Sequence, residues 1–378
     1  MTSMTSRSGG NADDAAATTR LTIDLSAIAD NWRRMRDLSG DALCGAAIKG
    51  NAYGTGMDEA APALAAAGCK TFFVADANEG ARLRGLLPEA EIFVLNGAFD
   101  AAIPLLVEND LTPVLNSPDQ IEDWHQAGTG RAAALHIDTG MNRLGITPQR
   151  AIEIAQNGDF SPTLIMSHFA CADSPSHPLN TRQISRFAEV RGHFPEARAS
   201  LANSAGIHLG ENARFDLTRP GIALYGGECV NGTPNPMRPV ATAEARILTN
   251  RTANAGETVS YGAAVTLERE TRIAICGIGY ADGYHRSSSG AGVPLRQAVP
   301  NGAMGAIDGR KVPLLGRVTM DLVMFDITDL PETLGVPGQW IELFGETIAL
   351  DDAARAAGTI GYELLTSLGS RYARSYKS

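Results

Sequence analysis

The chain has 378 residues, enough for two or three domains at roughly 150 residues each. Its 44% hydrophobic and 20% charged content is ordinary for a globular protein and excludes a disordered chain. Lys and Arg number 32 against 42 Asp and Glu, and the net charge of −10 makes nucleic acid and anionic lipid poor partners.

Residues 1–19 are polar and alanine-rich, without the apolar core of a signal peptide, and read as a disordered tail on a cytoplasmic protein. The five cysteines form no C-x-x-C pair, and their odd count reads as scattered reduced thiols. No run of roughly 18 apolar residues is long enough to cross a bilayer. From residue 43 onward, short apolar runs alternate with amphipathic stretches. The runs fall at 43–48, 71–75, 91–95, 111–115, 132–137, 163–167, 199–201 and 215–217, with helical patterns at 58–67, 78–86, 118–126, 148–156 and 179–191. This β-then-α repetition predicts an α/β chain whose residues 20–240 form a (β/α)8 TIM-type barrel. A doubly wound open sheet is the competitor, but the Gly-x-Gly-x-x-Gly turn it wants after its first strand is missing.

Near residue 240 the pattern changes. Short β runs at 243–248, 258–260, 273–276, 305–307, 312–315, 322–325 and 340–343 are broken by Gly, Asn and Pro. Asp308-Gly309 reads as a two-residue hairpin turn. Helical stretches at 350–357 and 363–368 close the chain, the first capped by Asp351 or Asp352. Residues 241–378 are therefore expected to form a mainly β C-terminal domain.

A barrel of this kind carries its active site at the C-terminal ends of its strands. Those ends hold Lys49, Asn51 and Tyr53, then Asn96, Asp138 with Arg143, His168, Asn203 with Ser204, and Arg219. A lone lysine after a strand is usually a rim residue, but one ending an apolar strand is costly unless paired or used. Here the same end carries a tyrosine, a histidine and two arginines. After Arg219, the Pro220-Gly221-Ile222 segment reads as a loop opening a short helix, whose free N–H groups suit a phosphate; Ser204 adds a hydroxyl. Lysine, phosphate cradle and barrel together point to a phosphorylated aldehyde held as a Schiff base, which is pyridoxal 5'-phosphate. His168, His177, His193 and His208 lie close in sequence, but a strand end and scattered helix or loop positions do not make a metal site, and none is expected.

The anchors Ala46-Ala47-Ile48-Lys49-Gly50-Asn51-Ala52-Tyr53-Gly54, Asp138-Thr139-Gly140-Met141-Asn142-Arg143-Leu144-Gly145, Ser167-His168-Phe169-Ala170 and Ala202-Asn203-Ser204 resemble those of the alanine racemase family. So do Arg219-Pro220-Gly221-Ile222, Val259-Ser260-Tyr261-Gly262, Gly279-Tyr280-Ala281-Asp282-Gly283 and Arg317-Val318-Thr319-Met320-Asp321. The resemblance covers about residues 22 to 371 and implies a cytoplasmic homodimer that interconverts L- and D-alanine by a two-base mechanism, supplying D-alanine for peptidoglycan.

It implies that Lys49 binds the cofactor and is one base, and that Tyr261, from the other subunit, is the second. Arg219 would bond the pyridine nitrogen, and His168 would bridge that arginine to the tyrosine. Tyr53, Ser204, the backbone of Gly221 and Ile222, and Tyr362 would hold the phosphate. Arg143 and the backbone N–H of Met320 would orient the substrate carboxylate, with Tyr280 on the substrate's approach path. Two positions depart from the family pattern: His136 stands where many members have a lysine, and Thr55 where a histidine is usual. A broader amino-acid racemase acting on serine or larger side chains is the second reading. A non-catalytic cofactor carrier is the third, weakened by the presence of Tyr261 and Met320.

Overall fold

The computed structural model describes residues 15–127, 130–290 and 302–378. Residues 1–14, most of the expected tail, lie outside the described residues. The chain divides into two compact units, Leu25–Arg238 and a second made of Met1–Asp24 with Pro239–Ser378.

In the first unit seven parallel strands run in chain order, from Ala46–Ala47 through Thr71–Val74, Glu91–Val94, Thr112–Leu115, Ala134–His136 and Leu164–Met166 to Arg198–Ser200. Parallel strands buried on both faces need continuous apolar runs, and Phe72, Phe73, Val74, Ile92, Phe93 and Val94 supply them. The sheet closes on itself as an eighth strand, Leu217–Thr218, lies beside Leu43–Cys44. Leu43, Gly45 and Ala47 donate to Asp216, Thr218 and Pro220 at 2.9–3.0 Å. Bonds from Asp216 N to Ala199 O and from Arg219 N to Ala202 O join the other side. This is the expected α/β barrel.

The helices start where local chemistry says they should. Asp76, Ser117 and Thr147 accept from backbone amides in the first turn of Ala77–Leu86, Pro118–Gln126 and Pro148–Asn157. His177, read as a structural loop residue, caps Pro178–Arg191 through Nδ1. The sequence pattern also missed helices. Leu25–Leu38, with its buried stripe of Ala27, Ile28, Trp32 and Met35, precedes the first β-then-α repeat. Ile103–Glu108 is too short to show a period.

The second unit is built on an eight-stranded sheet ordered Thr271–Cys276, Val323–Asp326, Arg310–Leu315, Met304–Ile307, Trp340–Phe344, Ala241–Ala253, Thr19–Asp24, Ala373–Lys377. The first part of the long strand Ala241–Ala253 pairs with Thr19–Asp24 and its remainder with Thr271–Cys276, the latter pairing shifting register between Ile247 and Thr249. Asp308 and Gly309 turn between Ile307 and Arg310 at φ 48° and 72°, the positive-φ pair a tight hairpin needs.

Two expectations are corrected. Residues 20–24, assigned to the barrel, belong to this sheet: Thr19–Asp24 runs antiparallel to Ala241–Ala253 and parallel to Ala373–Lys377. Those partners are so distant in sequence that local patterning does not reveal them. Asp351 and Asp352 do not cap the helix Leu350–Ala356; Ala349 is its N-cap, and the two carboxylates lie in the first turn, where they favour the positive end of the dipole.

Candidate active site

Lys49 follows the strand Ala46–Ala47 and opens an unusual turn. Gly50, Asn51, Ala52 and Tyr53 all have φ between 52° and 63°, a short left-handed stretch in which only Gly50 escapes the Cβ penalty. For L-residues that conformation costs roughly 1–2 kcal/mol each. Glu79 offsets it by accepting from Gly50 N at 2.7 Å and Asn51 N at 3.2 Å through Oε1, while Oε2 accepts from Ala75 N at 2.9 Å. Lys49 is exposed as a residue, yet desolvation of its amine lowers its pKa. Arg143 and Arg219 push the same way and Glu79 opposes them. The amine is thus biased towards its neutral, nucleophilic form.

The turn delivers Tyr53 to the barrel mouth. Its ring stacks on Tyr225 at 4.6 Å, and Tyr225 Oη donates to Ala47 O at 2.9 Å. Burial pushes the Tyr53 phenol up to about 12, so it remains a hydroxyl donor. Ser204 Oγ accepts from Gly221 N at 2.8 Å and Ala223 N at 3.4 Å, just as the short helix Ile222–Tyr225 begins. A Cβ on Gly221 would lie 2.2 Å from Tyr53 Oη. Two hydroxyls and two backbone amides therefore converge around a position only glycine leaves open. Neutral donors gathered in this way fit a phosphate. The sequence pointed to Gly221 and Ile222; the amide of Ala223 also faces Ser204, and a turn of this tightness does not reveal which amides project.

Arg219 is buried beneath this cradle. Its Nη1 donates to Ser200 Oγ at 2.6 Å, and its Nη2 to Ser167 O at 2.6 Å and His168 Nδ1 at 3.3 Å. Burial lowers its pKa to about 9, which leaves the guanidinium charged at neutral pH. No carboxylate pairs with it among the described residues. A guanidinium only donates, so His168 Nδ1 accepts and the ring proton sits on Nε2. Burial, then Arg219 and Arg143, hold His168 well below the usual imidazole range and keep it neutral.

Arg143 sits on the 138–146 loop, which folds back on itself through Asp138 N to Ile146 O and Ile146 N to His136 O. Asp138 Oδ1 accepts from Gly140 N and Met141 N, each at 2.8 Å. Below the loop His136 is buried, with Nδ1 2.7 Å from Asn116 Oδ1. The Asn116 amide already donates to Val114 O and Leu95 O, so its oxygen accepts and His136 Nδ1 carries the proton. Burial, with Arg219 and Arg143 adding, lowers His136 to about 4. Gln183, which the sequence did not single out, donates to Thr139 Oγ1 and His168 O and accepts from Ala170 N. It binds the loops after two neighbouring strands. Its place inside an ordinary amphipathic helix gave no signal.

The remaining candidates lie in the second unit. Tyr261 is 75% exposed and Met320 54%. They line one cleft of about 490 Å³ together with Tyr280, Arg286, Arg317 and Asp321. Tyr362 lies elsewhere, in the helix Gly361–Thr366, and does not line that cleft.

Comparison with known proteins follows this division. Residues 23–229 match the family model described as alanine racemase, N-terminal domain, and residues 240–376 the one described as alanine racemase, C-terminal domain. The alanine racemase of Rhizobium meliloti is 55% identical over 96% of this chain and 97% of its own. The biosynthetic alanine racemase of Agrobacterium fabrum is 51% identical over 94% and 93%. The crystal structure of alanine racemase from Bartonella henselae, with covalently bound pyridoxal phosphate, superposes with a TM-score of 0.87 at 36% identity, covering 96% of this chain and all of that one.

Proposed function

The chain belongs to the alanine racemase family, pyridoxal-phosphate-dependent isomerases that interconvert L- and D-alanine, and on that premise we propose which of its own residues carry the reaction. The observation that supports the assignment most is the buried, charged Arg219 set against a neutral His168 at the same strand ends as a deprotonation-prone Lys49.

Racemisation removes the α-proton from one side of the amino acid and returns a proton from the other, so two bases suffice. Lys49 Nζ is one base, and Tyr261 of a second copy of the chain is the other. Pyridoxal phosphate, when bound, supplies the aldehyde that Lys49 holds and a ring that delocalises the electron pair left on the α-carbon. Tyr53, Ser204, the backbone of Gly221 and Ile222, and Tyr362 would hold its phosphate. Arg219 would donate a hydrogen bond to the ring nitrogen and, keeping its own proton at neutral pH, would leave that nitrogen unprotonated. This would weaken the electron sink and favour proton return over transamination. His168, donating from Nε2, would bond the Tyr261 oxygen of the second copy and orient it. Arg143 and the Met320 amide bind the substrate carboxylate.

Two features favour a homodimer with shared sites. Tyr261, Tyr280 and Met320 are exposed around one cleft of the β unit, and the proposed two-base reaction needs Tyr261 as well as Lys49 of the barrel. The barrel unit is the cofactor-binding domain and the β unit completes the partner's site. None of the five cysteines is in a disulfide, which favours a cytoplasmic enzyme, and we assign its product to the supply of D-alanine for peptidoglycan. The test is chiral chromatography after incubating the cofactor-loaded protein with single L-amino acids. Alanine becomes a racemic mixture; if serine racemises as fast the substrate assignment fails, and if nothing racemises the enzymatic one does.

A further inference from the structure

Arg371 lies between the helix Gly361–Thr366 and the strand Ala373–Lys377 and binds two carboxylates at once. Its Nε and Nη2 donate to Asp282 Oδ1 and Oδ2 at 2.6 and 2.8 Å, and its Nη1 donates to Asp321 Oδ1 at 2.8 Å. The two aspartates belong to different turns. Asp282 is buried, ends the turn Tyr280–Asp282, and accepts a further bond from Gly279 N at 2.8 Å. Asp321 stands beside Met320 at the tip of a turn closed by Thr319 N and Oγ1, both donating to Leu322 O.

The turns also touch through their backbones. Tyr280 N donates to Thr319 O at 3.0 Å and Ala281 N to Met320 O at 3.1 Å. A Cβ on Gly279 would lie 2.2 Å from both of those carbonyl oxygens, so the approach is as close as two chains allow. An exposed ion pair by itself contributes little. A guanidinium that forks onto a buried carboxylate is different, because its plane is fixed and its third arm can dictate where a second element sits. Both turns place side chains in the cleft that holds Tyr261.

We infer that Arg371 is a positioning residue for substrate binding, locking the Met320 turn to the Tyr280 turn so that the Met320 amide is held at a fixed place relative to the Tyr280 ring. The inference rests on the proposed role of Met320 in orienting the substrate carboxylate. Arg371 acts through the two turns, so it governs how the amino acid is held and leaves proton transfer at Lys49 and Tyr261 alone. The two backbone bonds survive its loss, which bounds the effect.

The experiment is steady-state racemisation of alanine by the cofactor-loaded Arg371→Lys variant, which keeps the charge and loses the fork. KM rises roughly three- to tenfold while kcat stays within about twofold of wild type. Asp321→Asn, which cuts only the exposed arm, moves KM in the same direction by a smaller factor. An unchanged KM in either folded variant, or a kcat loss beyond about twofold, overturns the inference. If Arg371→Lys does not fold, Asp321→Asn decides by itself. Wild-type protein that turns over no alanine defeats the proposed function, and this inference with it, a result distinct from any variant effect.

Discussion

Lys49 and His136 show how the same surroundings act on two different groups. Desolvation disfavours a proton on each, and Arg143 and Arg219 add to it. For Lys49 the result is a bias towards the neutral amine. Lys49→Ala is expected to lower racemisation roughly a thousandfold or more, and borohydride then no longer fixes the cofactor to the chain. Undiminished turnover in a chiral assay would remove Lys49 from the mechanism.

For His136 the consequence is a stability that depends on pH. Its folded pKa of about 4 lies below the unfolded value near 6.5, so the unfolded chain binds the extra proton in that window. Stability from this group is complete above 6.5 and drains as pH falls towards 4, by about 3 kcal/mol in all. His136→Gln, which keeps a donor for Asn116, should flatten the loss of Tm between pH 6.5 and 4.5; an unchanged slope would show that the ring is not the titrating group.

At the scale of elements, the left-handed turn after Lys49 is a strained segment held by its neighbours. Asn51, Ala52 and Tyr53 adopt a conformation each disfavours, and two amides of the turn, with that of Ala75, find their acceptor in the single Glu79 carboxylate on the helix Ala77–Leu86. Glu79→Ala leaves those amides to water and releases the turn, with an expected loss of about 2 kcal/mol and a Tm lower by roughly 5 °C. Tyr53 should then be less well placed, so cofactor is retained less tightly. Thermal melts of the variant with and without added pyridoxal phosphate measure both effects, and an unshifted melt would mean the turn stands without Glu79.

At the scale of the whole molecule, the proposed site residues fall in two units: Lys49, His168 and Arg219 in the barrel, and Tyr261 and Met320 in the β unit. If each site takes its tyrosine from the partner, two dead variants complement each other. Lys49→Ala mixed with Tyr261→Phe, then dissociated and reassociated, gives hybrid dimers with one intact site, restoring about a quarter of wild-type activity at equal proportions. No recovery in hybrids isolated by differential tags would place both bases in one chain.

The sequence alone determined the repeating barrel, because each strand is a short apolar run followed by a polar strand end, and both signals are local. It also identified Lys49, His168, Ser204 and Arg219 as strand-end residues, since the closed parallel sheet gathers successive strand ends at one rim. Tertiary structure decided what local signals do not contain. Thr19–Asp24 sits in the second sheet because its partners are Ala241–Ala253 and Ala373–Lys377, set by pairing across the length of the chain. The proton on His168 and the one on His136 are fixed by Arg219 and by Asn116, each from a different strand end. Glu79, Gln183 and Arg371 look like ordinary charged or polar residues in sequence. Their roles arise only when folding brings a carboxylate, an amide or a guanidinium within bonding distance of two separate segments.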